Sequence, residues 1–562
     1  MRQDQEEPYQ RRSARVYAAA DRAGSAGSRH LTARPRGVLY DAVLLDRDGT
    51  LIEDVPYNGD PEKVRPVPGA RAALDRLRAA GLRLAVVTNQ SGLARGYFTG
   101  EQMRAVHARV EELLGRFDAW LVCPHDDEDR CDCRKPAPGL VHAAARELGT
   151  TASRCVLVGD IGRDVAAALA AGATGVLVPT PVTRPEEVAA AGWTARDLPA
   201  AVDEILRRQQ AVRPATPPAE PVRTALVVRS DSAGDVLVTG PAIRAVAAGA
   251  QRVVLLCGPR GRAAAELLPG VDEIIEHPLP WIDSTPGPVD PEDMRGLITR
   301  LRAVGADQAV VFTSFHQSAL PLALLLRMAG IGRIAAISDD YPGSLLDVRH
   351  RVPVGVPEPE RALSLAAAAG HRLPEDDEPV LRLRHDAVAA RPSGLGDPGY
   401  VVLHPGSAAS SRACPPEVAT RIAGALTAAG HRVLVTGGRD ERDVTARVAA
   451  AGGVDLGGRT DLAGLAGIVA DAGAVVVGNT GPAHLAAAAG VPVVSLFAPT
   501  VPFGQWGPYR VPTVRLGDAA APCRDTRAAS CPVPGHPCLS GVDPDEVVDA
   551  LRMLAVGGGG GR

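Results

Sequence analysis

Acidic side chains follow short apolar runs in the first third of the chain. The run AVLLD ends in Asp46 and is followed by Asp48, and the run CVLVGD ends in Asp160. A carboxylate can attack phosphorus and form an aspartyl phosphate. Because its charge repels the phosphoryl oxygens, a divalent cation held by carboxylates would also be needed. These residue types therefore indicate metal-dependent phosphoryl transfer with Asp46 as the nucleophile.

Three further residues complete this predicted site. Asp48 lies two residues beyond Asp46, and positions i and i+2 of a strand share a face, so Asp48 can protonate the leaving oxygen and later activate water. Thr88 and Lys135 would neutralise the remaining phosphoryl oxygens. A solvated turn is the alternative explanation for one acidic strand end. A solvated turn does not account for four motifs that occur in this order along the chain: DxDGT, TN, RKP and GDxxxD.

The segment CPHDDEDRCDCRKP concentrates cysteine in a chain that has only nine. Its Cys-x-His and Cys-x-Cys pairs offer four ligands for tetrahedral Zn²⁺: Cys123, His125, Cys131 and Cys133. Four protein ligands leave no open position, so we expect a structural zinc whose binding energy folds the loop. Free thiols or a disulfide are the alternatives. Arg134 and Lys135 come next, so we expect the zinc loop to aim both at the phosphate.

Parallel β-sheets are the elements that must position these residues. Short β-branched runs alternate with alanine-rich helical stretches, which predicts strands joined by crossover helices. In such sheets, ligands bind at the carboxyl ends of the strands. A chain of 562 residues is too long for one core, so we expect three α/β units of roughly 150 residues each.

The predicted organisation is three units with one linker and two tails. The segment QQAVRPATPPAEPVR is polar and rich in proline, which is typical of a linker. The predicted ranges are 1–37 for a disordered tail, 38–207 for the first unit, 208–222 for the linker, 223–390 and 391–556 for the second and third units, and 557–562 for a flexible tail.

Composition argues against several classes of protein. A net charge of −4 with interspersed signs is unlike a nucleic-acid-binding or membrane-surface protein. No apolar run reaches the roughly eighteen residues of a membrane-spanning helix, and the N-terminus lacks the apolar core of a signal peptide. We therefore expect a cytoplasmic protein whose cysteines are thiols or metal ligands.

Glycine-rich turns after later apolar runs indicate a second site, suited to a diphosphate. They contain Gly234 and Asp235, Gly406 and Ser407, and Thr480 and Gly481. Small residues at helix N-termini expose N–H groups at the positive end of the helix dipole. An acidic residue after the next strand could bind ribose hydroxyls. Each turn alone could equally be structural, and His484 alone could be a helix-cap histidine.

The first unit resembles the haloacid dehalogenase superfamily of phosphatases in the four ordered motifs given above. The resemblance implies that Asp46 is the nucleophile and Asp48 the general acid and base. It also implies that Asp46, Asp160 and the Asp48 carbonyl hold Mg²⁺. Only forty positions separate Asp48 from Thr88, too few for an inserted cap domain with its own core, so we expect a capless Rossmann-like fold with an open site.

The zinc loop narrows this resemblance to bacterial histidinol-phosphate and D-glycero-D-manno-heptose 1,7-bisphosphate phosphatases. The stretch VVTNQSGLARGYFT is similar to the heptose-bisphosphate branch. The short gap between His125 and Cys131 is closer to the histidinol-phosphate branch, and Ile161 stands where heptose enzymes often carry lysine. We favour heptose bisphosphate, with histidinol phosphate or another sugar phosphate as the alternatives. The implied substrate- and phosphate-binding residues are Thr88, Asn89, Ser91, Arg134 and Lys135.

Residues 223–556 resemble glycosyltransferase family 9, the heptosyltransferases of lipopolysaccharide assembly, which have the GT-B fold of two Rossmann-like domains. The motifs are GDVLVTGPAIRA, HPGSAAS and NTGPAHLAAAAGVPVVSLFAPT. The resemblance implies that Asp235 is the general base of an inverting transfer to an unknown glycan or lipid-linked acceptor. The donor would be a nucleotide-diphospho-sugar similar to ADP-heptose, held by Ser407, Arg412, Glu441, Thr480, Gly481 and His484.

The resulting hypothesis is a bifunctional enzyme, a sugar-bisphosphate phosphatase fused to a glycosyltransferase. The alternative is a phosphatase fused to a non-catalytic GT-B binding module. Cys414 and Asn479 stand where family 9 enzymes commonly have tryptophan and many have aspartate, which leaves the donor's sugar and nucleotide open. Three further cysteines could bind a second metal, but inert thiols are the simpler expectation for Cys523, Cys531 and Cys538.

Overall fold

The computed structural model describes residues 39–213, 222–283 and 286–557. The predicted tail at 1–37, and most of the predicted linker and C-terminal tail, lie outside the described residues. The described part of the chain contains three parallel sheets, which confirms the predicted α/β class. None of the described helices is both long enough and apolar enough to cross a lipid bilayer.

The first unit is a five-stranded parallel sheet with helices on both faces. Its central strand is buried along its whole length, as expected for a strand covered on both sides. The strands are β1 (Ala42–Leu45), β2 (Arg83–Asn89), β3 (Ala119–Cys123), β4 (Cys155–Gly159) and β5 (Thr174–Leu177). The helices are α1 (Ala70–Ala79), α2 (Gly100–Leu114), α3 (Gly139–Glu147), α4 (Gly162–Ala170), α5 (Pro185–Ala190) and α6 (Leu198–Ala211). The strand order is β3–β2–β1–β4–β5.

The second unit is a six-stranded parallel sheet. Its strands are β6 (Val222–Val228), β7 (Ala250–Cys257), β8 (Glu273–Glu276), β9 (Gln308–Val311), β10 (Arg333–Ile337) and β11 (Val348–His350). Its helices are α7 (Ala233–Ala247), α8 (Arg262–Glu266), α9 (Pro291–Val304), α10 (Leu320–Met328) and α11 (Glu358–Ala368). The order β11–β10–β9–β6–β7–β8 reverses direction at β6, where a doubly wound sheet opens a ligand crevice.

The third unit repeats this topology. Its strands are β12 (Val401–His404), β13 (Val433–Val435), β14 (Val454–Asp455), β15 (Ala474–Gly478), β16 (Val493–Leu496) and β17 (Thr513–Leu516). Its helices are α12 (Pro416–Ala428), α13 (Arg442–Ala449), α14 (Leu462–Ala470), α15 (Gly481–Ala488), α16 (Phe503–Trp506), α17 (Pro537–Ser540) and α18 (Pro544–Gly557). In the order β14–β13–β12–β15–β16–β17, the crevice lies between β12 and β15.

Helix α6 extends into the predicted linker of 208–222. Gln209, on its last turn, is buried, and its side-chain oxygen accepts hydrogen bonds from the backbone N–H groups of Leu39 and Tyr40, at 2.9 Å each. These bonds tie the end of the first unit to the chain that enters β1. Strand β6 already begins at Val222, so both ends of the predicted linker belong to regular elements.

A buried ionic cluster around Glu360 joins the three units. The Glu360 carboxylate on α11 accepts hydrogen bonds from the hydroxyls of Tyr40 at 3.3 Å and Tyr509 at 3.1 Å. It also lies 3.6 Å from the Arg208 guanidinium and 3.7 Å from that of Arg510. The two tyrosines come from the first and third units, so one carboxylate of the second unit contacts both neighbours. Because uncompensated charge is costly in such a buried place, this cluster helps to fix how the units pack.

Candidate active sites

The predicted phosphoryl-transfer residues meet at the carboxyl edge of the first sheet. Asp46 follows β1, and its backbone N–H donates to Val158 of β4 at 2.9 Å. Thr88 lies in β2, on the other side of β1, and Asp160 directly follows β4. Since β1 is flanked by these two strands, their polar ends converge on Asp46. This edge is where a parallel sheet is expected to carry its chemistry.

Lys135 supplies the positive charge of the site. Its Nζ lies 2.6 Å from Asp46 and 2.5 Å from Asp164, and it donates to the Val87 carbonyl at 2.9 Å. Burial alone would lower the pKa of Lys135, but the charges of Asp164 and Asp46 outweigh it and raise the pKa above its usual value. The ammonium therefore stays charged at neutral pH.

One ammonium does not balance the carboxylates gathered here. Oxygen atoms of Asp46, Asp160 and Asp164 all lie within 4.8 Å of one another. Burial raises the pKa of Asp46 to about 7, against the opposing effect of Lys135, and burial together with Asp46 raises the pKa of Asp160 to about 8. A set of oxygen ligands with excess negative charge suits a hard divalent cation such as Mg²⁺.

Asp164 is a member of this cluster that the predicted ligand set left out. It lies in the first turn of α4, four residues after Asp160, and its side chain is buried. The GDxxxD spacing was the signal that could have placed it among the ligands. Gly49 is required at the same place: its φ is +78°, and a Cβ there would lie 2.3 Å from an Asp160 carboxylate oxygen.

Asp48 is held by two side chains that sequence reasoning did not assign. The buried Arg47 donates from Nε and Nη2 to the two Asp48 oxygens, at 3.0 and 2.9 Å. Gln90 donates to the same carboxylate at 2.7 Å and to the Thr88 hydroxyl at 3.0 Å. These contacts fix the orientation of Asp48 and link it to Thr88.

The remaining predicted residues of this site have different partners. Asn89 exchanges hydrogen bonds of 3.1 Å with the backbone of Lys135, so it positions that lysine. Arg134 forms an ion pair of 2.8 Å with Asp127 on the loop after β3, whereas only Lys135 reaches Asp46. Ser91 is half-buried at the start of the loop after β2, and its carbonyl accepts from Arg95 at 3.1 Å.

The four predicted zinc ligands converge on one point. The three Sγ–Sγ distances among Cys123, Cys131 and Cys133 are 3.7, 3.5 and 3.5 Å. Nδ1 of His125 lies 3.6 and 3.3 Å from the sulfurs of Cys123 and Cys133. A tetrahedral zinc with ligand bonds of about 2.3 Å needs edges of about 3.8 Å, which these spacings approach. A disulfide sulfur pair would be about 2.05 Å apart, and all nine cysteines are free.

Asp235 lies in the first turn of α7, at the crevice of the second unit. Its carboxylate accepts hydrogen bonds from the Ser232 hydroxyl at 2.6 Å and from Arg229 at 3.0 Å. Burial would raise the pKa of Asp235, but Arg229 and the hydrogen bonds from Ser232 outweigh it and lower the pKa. Asp235 is therefore ionised at neutral pH and able to accept a proton.

The N-terminal turns of α7 and α15 lie close together, one from the second unit and one from the third. A Cβ on Gly234 would lie 3.1 Å from the His484 ring and 3.4 Å from the Cα of Gly481. Thr480 is the N-cap residue of α15. Burial lowers the pKa of His484 to about 4, so the imidazole is neutral at pH 7. The predicted base thus lies against the predicted donor-binding turn.

Two further donor-binding predictions lie on the β12–β13 side of the third unit. Glu441 accepts a hydrogen bond of 2.7 Å from the Gly438 N–H and covers Gly406, where any Cβ would collide with its carboxylate. The Ser407 hydroxyl accepts from the Ala409 N–H at 3.3 Å. These residues lie at the carboxyl ends of adjacent strands, as a nucleotide site requires.

The residues that depart from the family 9 pattern have structural partners. Asn479 donates to the Ala498 carbonyl at 3.2 Å and accepts from the Ala498 N–H at 3.3 Å, a pairing that an ionised aspartate could not make. Cys414 is buried in the core of the third unit. In the described ranges, the clusters able to hold a metal are the two given above, and Cys523, Cys531 and Cys538 are not among them.

Comparison with known proteins finds relatives for both parts of the chain. Residues 132–205 match a HAD-hydrolase-like family, and residues 294–535 match glycosyltransferase family 9 (heptosyltransferase). The D-glycero-beta-D-manno-heptose-1,7-bisphosphate 7-phosphatase of Pseudomonas putida is 41% identical over 143 residues, which are 25% of this chain and 82% of that protein. The Yersinia pestis protein of the same name is 38% identical over 178 residues, 29% of this chain and 94% of its own length.

Two solved structures are similar to parts of the chain. The D,D-heptose 1,7-bisphosphate phosphatase of B. bronchiseptica, complexed with magnesium and phosphate, is 32% identical and covers 30% of this chain and 98% of its own, with a TM-score of 0.28. The E. coli ADP-heptose lps heptosyltransferase II is 19% identical and covers 59% of this chain and 98% of its own, with a TM-score of 0.46.

The fold and carboxylate site of the first unit define a haloacid-dehalogenase-type hydrolase domain. With this domain, the chain belongs to the D-glycero-beta-D-manno-heptose-1,7-bisphosphate 7-phosphatase family. It also carries a glycosyltransferase family 9 domain, and the matched range begins in α9, after the segment that holds Asp235.

Replacing the buried Lys135 tests the charge balance of the first site. The substitution Lys135→Met leaves Asp46 and Asp164 facing each other without their cation. We expect a loss of about 3 kcal/mol in the free energy of unfolding in chelator, partly restored by millimolar Mg²⁺. Urea titration of the purified chain with and without Mg²⁺ measures this.

The chain offers a matched control, because its other lysine, Lys63, is exposed. Lys63→Met should change stability by less than about 0.5 kcal/mol. Equal stability of the Lys135→Met and parent proteins in chelator would contradict the proposed charge balance.

Proposed function

We propose that the chain is a bifunctional enzyme of heptose metabolism. Its first unit would remove the 7-phosphate of D-glycero-D-manno-heptose 1,7-bisphosphate, and its second and third units would transfer a heptose from a nucleotide diphosphate. The observation that carries the first half is the buried group of Asp46, Lys135, Asp160 and Asp164 at one sheet edge, in a domain 41% identical to a phosphatase of that name.

The phosphatase step assigns one role to each polar side chain. Asp46 attacks phosphorus, and the bond to the sugar oxygen breaks as Asp48 protonates that oxygen. Asp48 then takes a proton from water, and the resulting hydroxide releases phosphate from Asp46. Lys135 and Thr88 offset charge on the phosphoryl oxygens. Arg47 and Gln90 keep Asp48 oriented for both proton transfers.

Mg²⁺ is the cation that this oxygen-ligand set favours. Asp46, Asp160 and the Asp48 carbonyl would hold it, and Asp164 lies within reach of the same position. The ion would supply the positive charge that lets an anionic nucleophile approach an anionic phosphate. Its charge would offset the three buried carboxylates, which a single ammonium does not balance.

We assign Zn²⁺ to the cluster of Cys123, His125, Cys131 and Cys133. The cluster ends two residues before Lys135, so an ordered loop would fix the position of the Lys135 backbone. A closed set of four protein ligands supports a structural role rather than a catalytic one. Holding the loop by metal would replace the packing that this polar segment lacks.

Metal analysis tests the zinc assignment. The purified chain should contain about one zinc per molecule. The Cys133→Ser variant should lose it together with most phosphatase activity, because the loop that positions Lys135 is released. Cys155→Ser, which changes a buried thiol outside the cluster, is the matched control and should retain zinc. A zinc-free parent protein with full phosphatase activity would refute the assignment.

Heptose bisphosphate is favoured over histidinol phosphate by the named relatives and by the VVTNQSGLARGYFT loop. The exposed side of this loop carries Arg95 and Tyr97 beside Tyr57, whose ring stacks edge-on with Tyr97 at 4.6 Å. Polar and aromatic groups next to an open site suit a sugar. Histidinol phosphate remains the second candidate, because of the short loop between His125 and Cys131.

The glycosyltransferase half would act by inverting displacement at the anomeric carbon. Asp235 would accept the proton of the acceptor hydroxyl, and the nucleotide diphosphate would leave. Arg412, Thr480, Gly481 and His484 would contact the diphosphate of an ADP-heptose-like donor. Glu441 would hold the ribose. Ser407 follows Gly406, the residue that the Glu441 carboxylate covers. The acceptor would be a glycan or a lipid-linked sugar.

The two reactions would not be consecutive. The phosphatase product still needs a nucleotide before it can serve as a donor, so a nucleotidyl transfer must come between them. We expect the enzyme to act in the cytoplasm, as its composition indicates. The alternative for the second half, a non-catalytic sugar-nucleotide binding module, predicts donor binding without transfer.

Reciprocal variants test the bifunctional assignment in one experiment. Heptose 1,7-bisphosphate, histidinol phosphate and ADP-heptose are supplied separately, with water as the stand-in acceptor for ADP-heptose. Asp46→Asn should lower phosphate release from heptose bisphosphate by at least about 1,000-fold and leave ADP release unchanged, because no attacking carboxylate remains. Asp235→Asn should lower ADP release at least about 100-fold and leave phosphate release unchanged.

Each half serves as the folding control for the other. Phosphate release from histidinol phosphate alone would overturn the sugar assignment. ADP-heptose that binds the parent protein without ever releasing ADP, even with glycan acceptors added, would favour the binding module.

A further inference from the structure

A long connection in the third unit crosses to the cleft. Residues 517–540 lie between β17 and α18 and contain the short helix α17. Cys523 and Cys538 bury their side chains in the core of the third unit and anchor this segment. Its backbone is also bound to the loop after β16, since the Asp525 N–H donates to the Pro499 carbonyl at 2.9 Å and the Arg527 N–H to the Thr500 carbonyl at 2.8 Å.

Arg527 extends from this segment to the second unit. Its guanidinium lies 3.5 Å from the centre of the Phe315 ring. The neighbouring Ser314 accepts a hydrogen bond of 3.0 Å from Arg229, the residue that holds Asp235. Arg527 therefore bridges the cleft next to the residues that hold the proposed base.

The same segment also holds the loop of Arg412. Ala529 accepts hydrogen bonds from the Ser411 N–H at 3.1 Å and from the Ser410 hydroxyl at 3.4 Å, and the His536 ring lies 3.0 Å from the Ser411 carbonyl oxygen. Arg412 and Arg527 thus lie on two backbone segments that are hydrogen-bonded to each other.

Neither guanidinium forms a close ion pair in the described part of the chain, although Asp235 lies near Arg412 and Glu358 near Arg527. Nε of Arg412 is buried with no acceptor in reach. Burial lowers the pKa of both Arg412 and Arg527. Asp235 opposes this effect at Arg412 and Glu358 opposes it at Arg527, while the proximity of Arg527 lowers the pKa of Arg412 further. Two neighbouring, half-buried cations of the third unit would attract an anionic ligand that enters the cleft.

We propose that Arg527, together with Arg412, binds the diphosphate of the sugar donor. The inference rests on the proposed glycosyl transfer and adds a residue from the 517–540 segment to it. A guanidinium fork matches phosphate oxygens, and its charge stabilises the negative charge that grows on the leaving diphosphate.

The bonding changes of the transfer balance around these residues. The anomeric carbon loses its bond to the diphosphate oxygen, which keeps the electron pair. The acceptor oxygen forms the new bond, and its proton goes to Asp235. The diphosphate thus gains one negative charge where Arg412 and Arg527 lie.

Binding of ADP to the full-length chain tests the proposal by titration calorimetry. Arg527→Gln, which keeps the size of the side chain but not its charge, should weaken ADP binding about 10- to 100-fold, the usual range for lost charge-assisted hydrogen bonds. AMP should be affected less and adenosine not at all. Arg527→Lys should recover part of the ADP affinity. Arg524→Gln, which changes an exposed arginine in the same segment, is the matched control and should bind ADP as the parent does.

The outcomes separate this inference from the proposed function. Unchanged ADP affinity in Arg527→Gln would overturn the role of Arg527 and leave the transferase assignment standing. Equal weakening of ADP and adenosine would show that Arg527 only packs on Phe315, which also overturns it. A parent protein that binds none of ADP, UDP and GDP would overturn both. Unchanged phosphate release from heptose bisphosphate, together with the Arg527→Lys result, excludes misfolding as the cause of any loss.

Discussion

One ammonium group among three buried carboxylates is the interaction on which the first catalytic site depends. The chain has two lysines, against many arginines, and one of them is Lys135. A compact ammonium fits between Asp46 and Asp164, whereas a planar guanidinium would need a wider, fork-shaped gap. Two local features position this ammonium. The Asn89 side chain forms hydrogen bonds with the Lys135 backbone, and Cys133 of the cysteine cluster lies two residues before Lys135. The cysteine cluster and the carboxylates therefore belong to one site, because both are linked to Lys135.

The three units form one packed structure. Glu360 lies on a helix of the second unit and accepts hydrogen bonds from residues of the first and third units. The same helix carries Glu358, which lies close to Arg361. The first unit thus packs against both halves of the transferase cleft.

Local sequence signals predicted much of the fold and of the first site. Apolar runs and the polar residues after them indicated the parallel sheets and the positions of Asp46 and Asp160, because strand ends in parallel sheets face one edge. The close spacing of four soft ligands identified the Cys–His cluster for a similar reason, since all four lie within eleven residues. Contacts between distant segments had no comparable signal. Arg510 donates to the carbonyl of Leu39 across 471 positions, and Arg527 meets Phe315 through a loop of irregular backbone. Arg134 likewise pairs with Asp127 and not with the carboxylate site. The spacing of residues along the sequence does not determine which of these partners the side chain takes.

Trapping the covalent intermediate tests the central claim most directly. The Asp46 carboxylate, and no other group, is expected to attack phosphorus. Borohydride added during turnover of heptose 1,7-bisphosphate should reduce an acyl phosphate at that carboxylate, and mass spectrometry of the digested chain should find homoserine at position 46. Homoserine at position 160, or an unreduced Asp46 while phosphate is being released, would contradict the account.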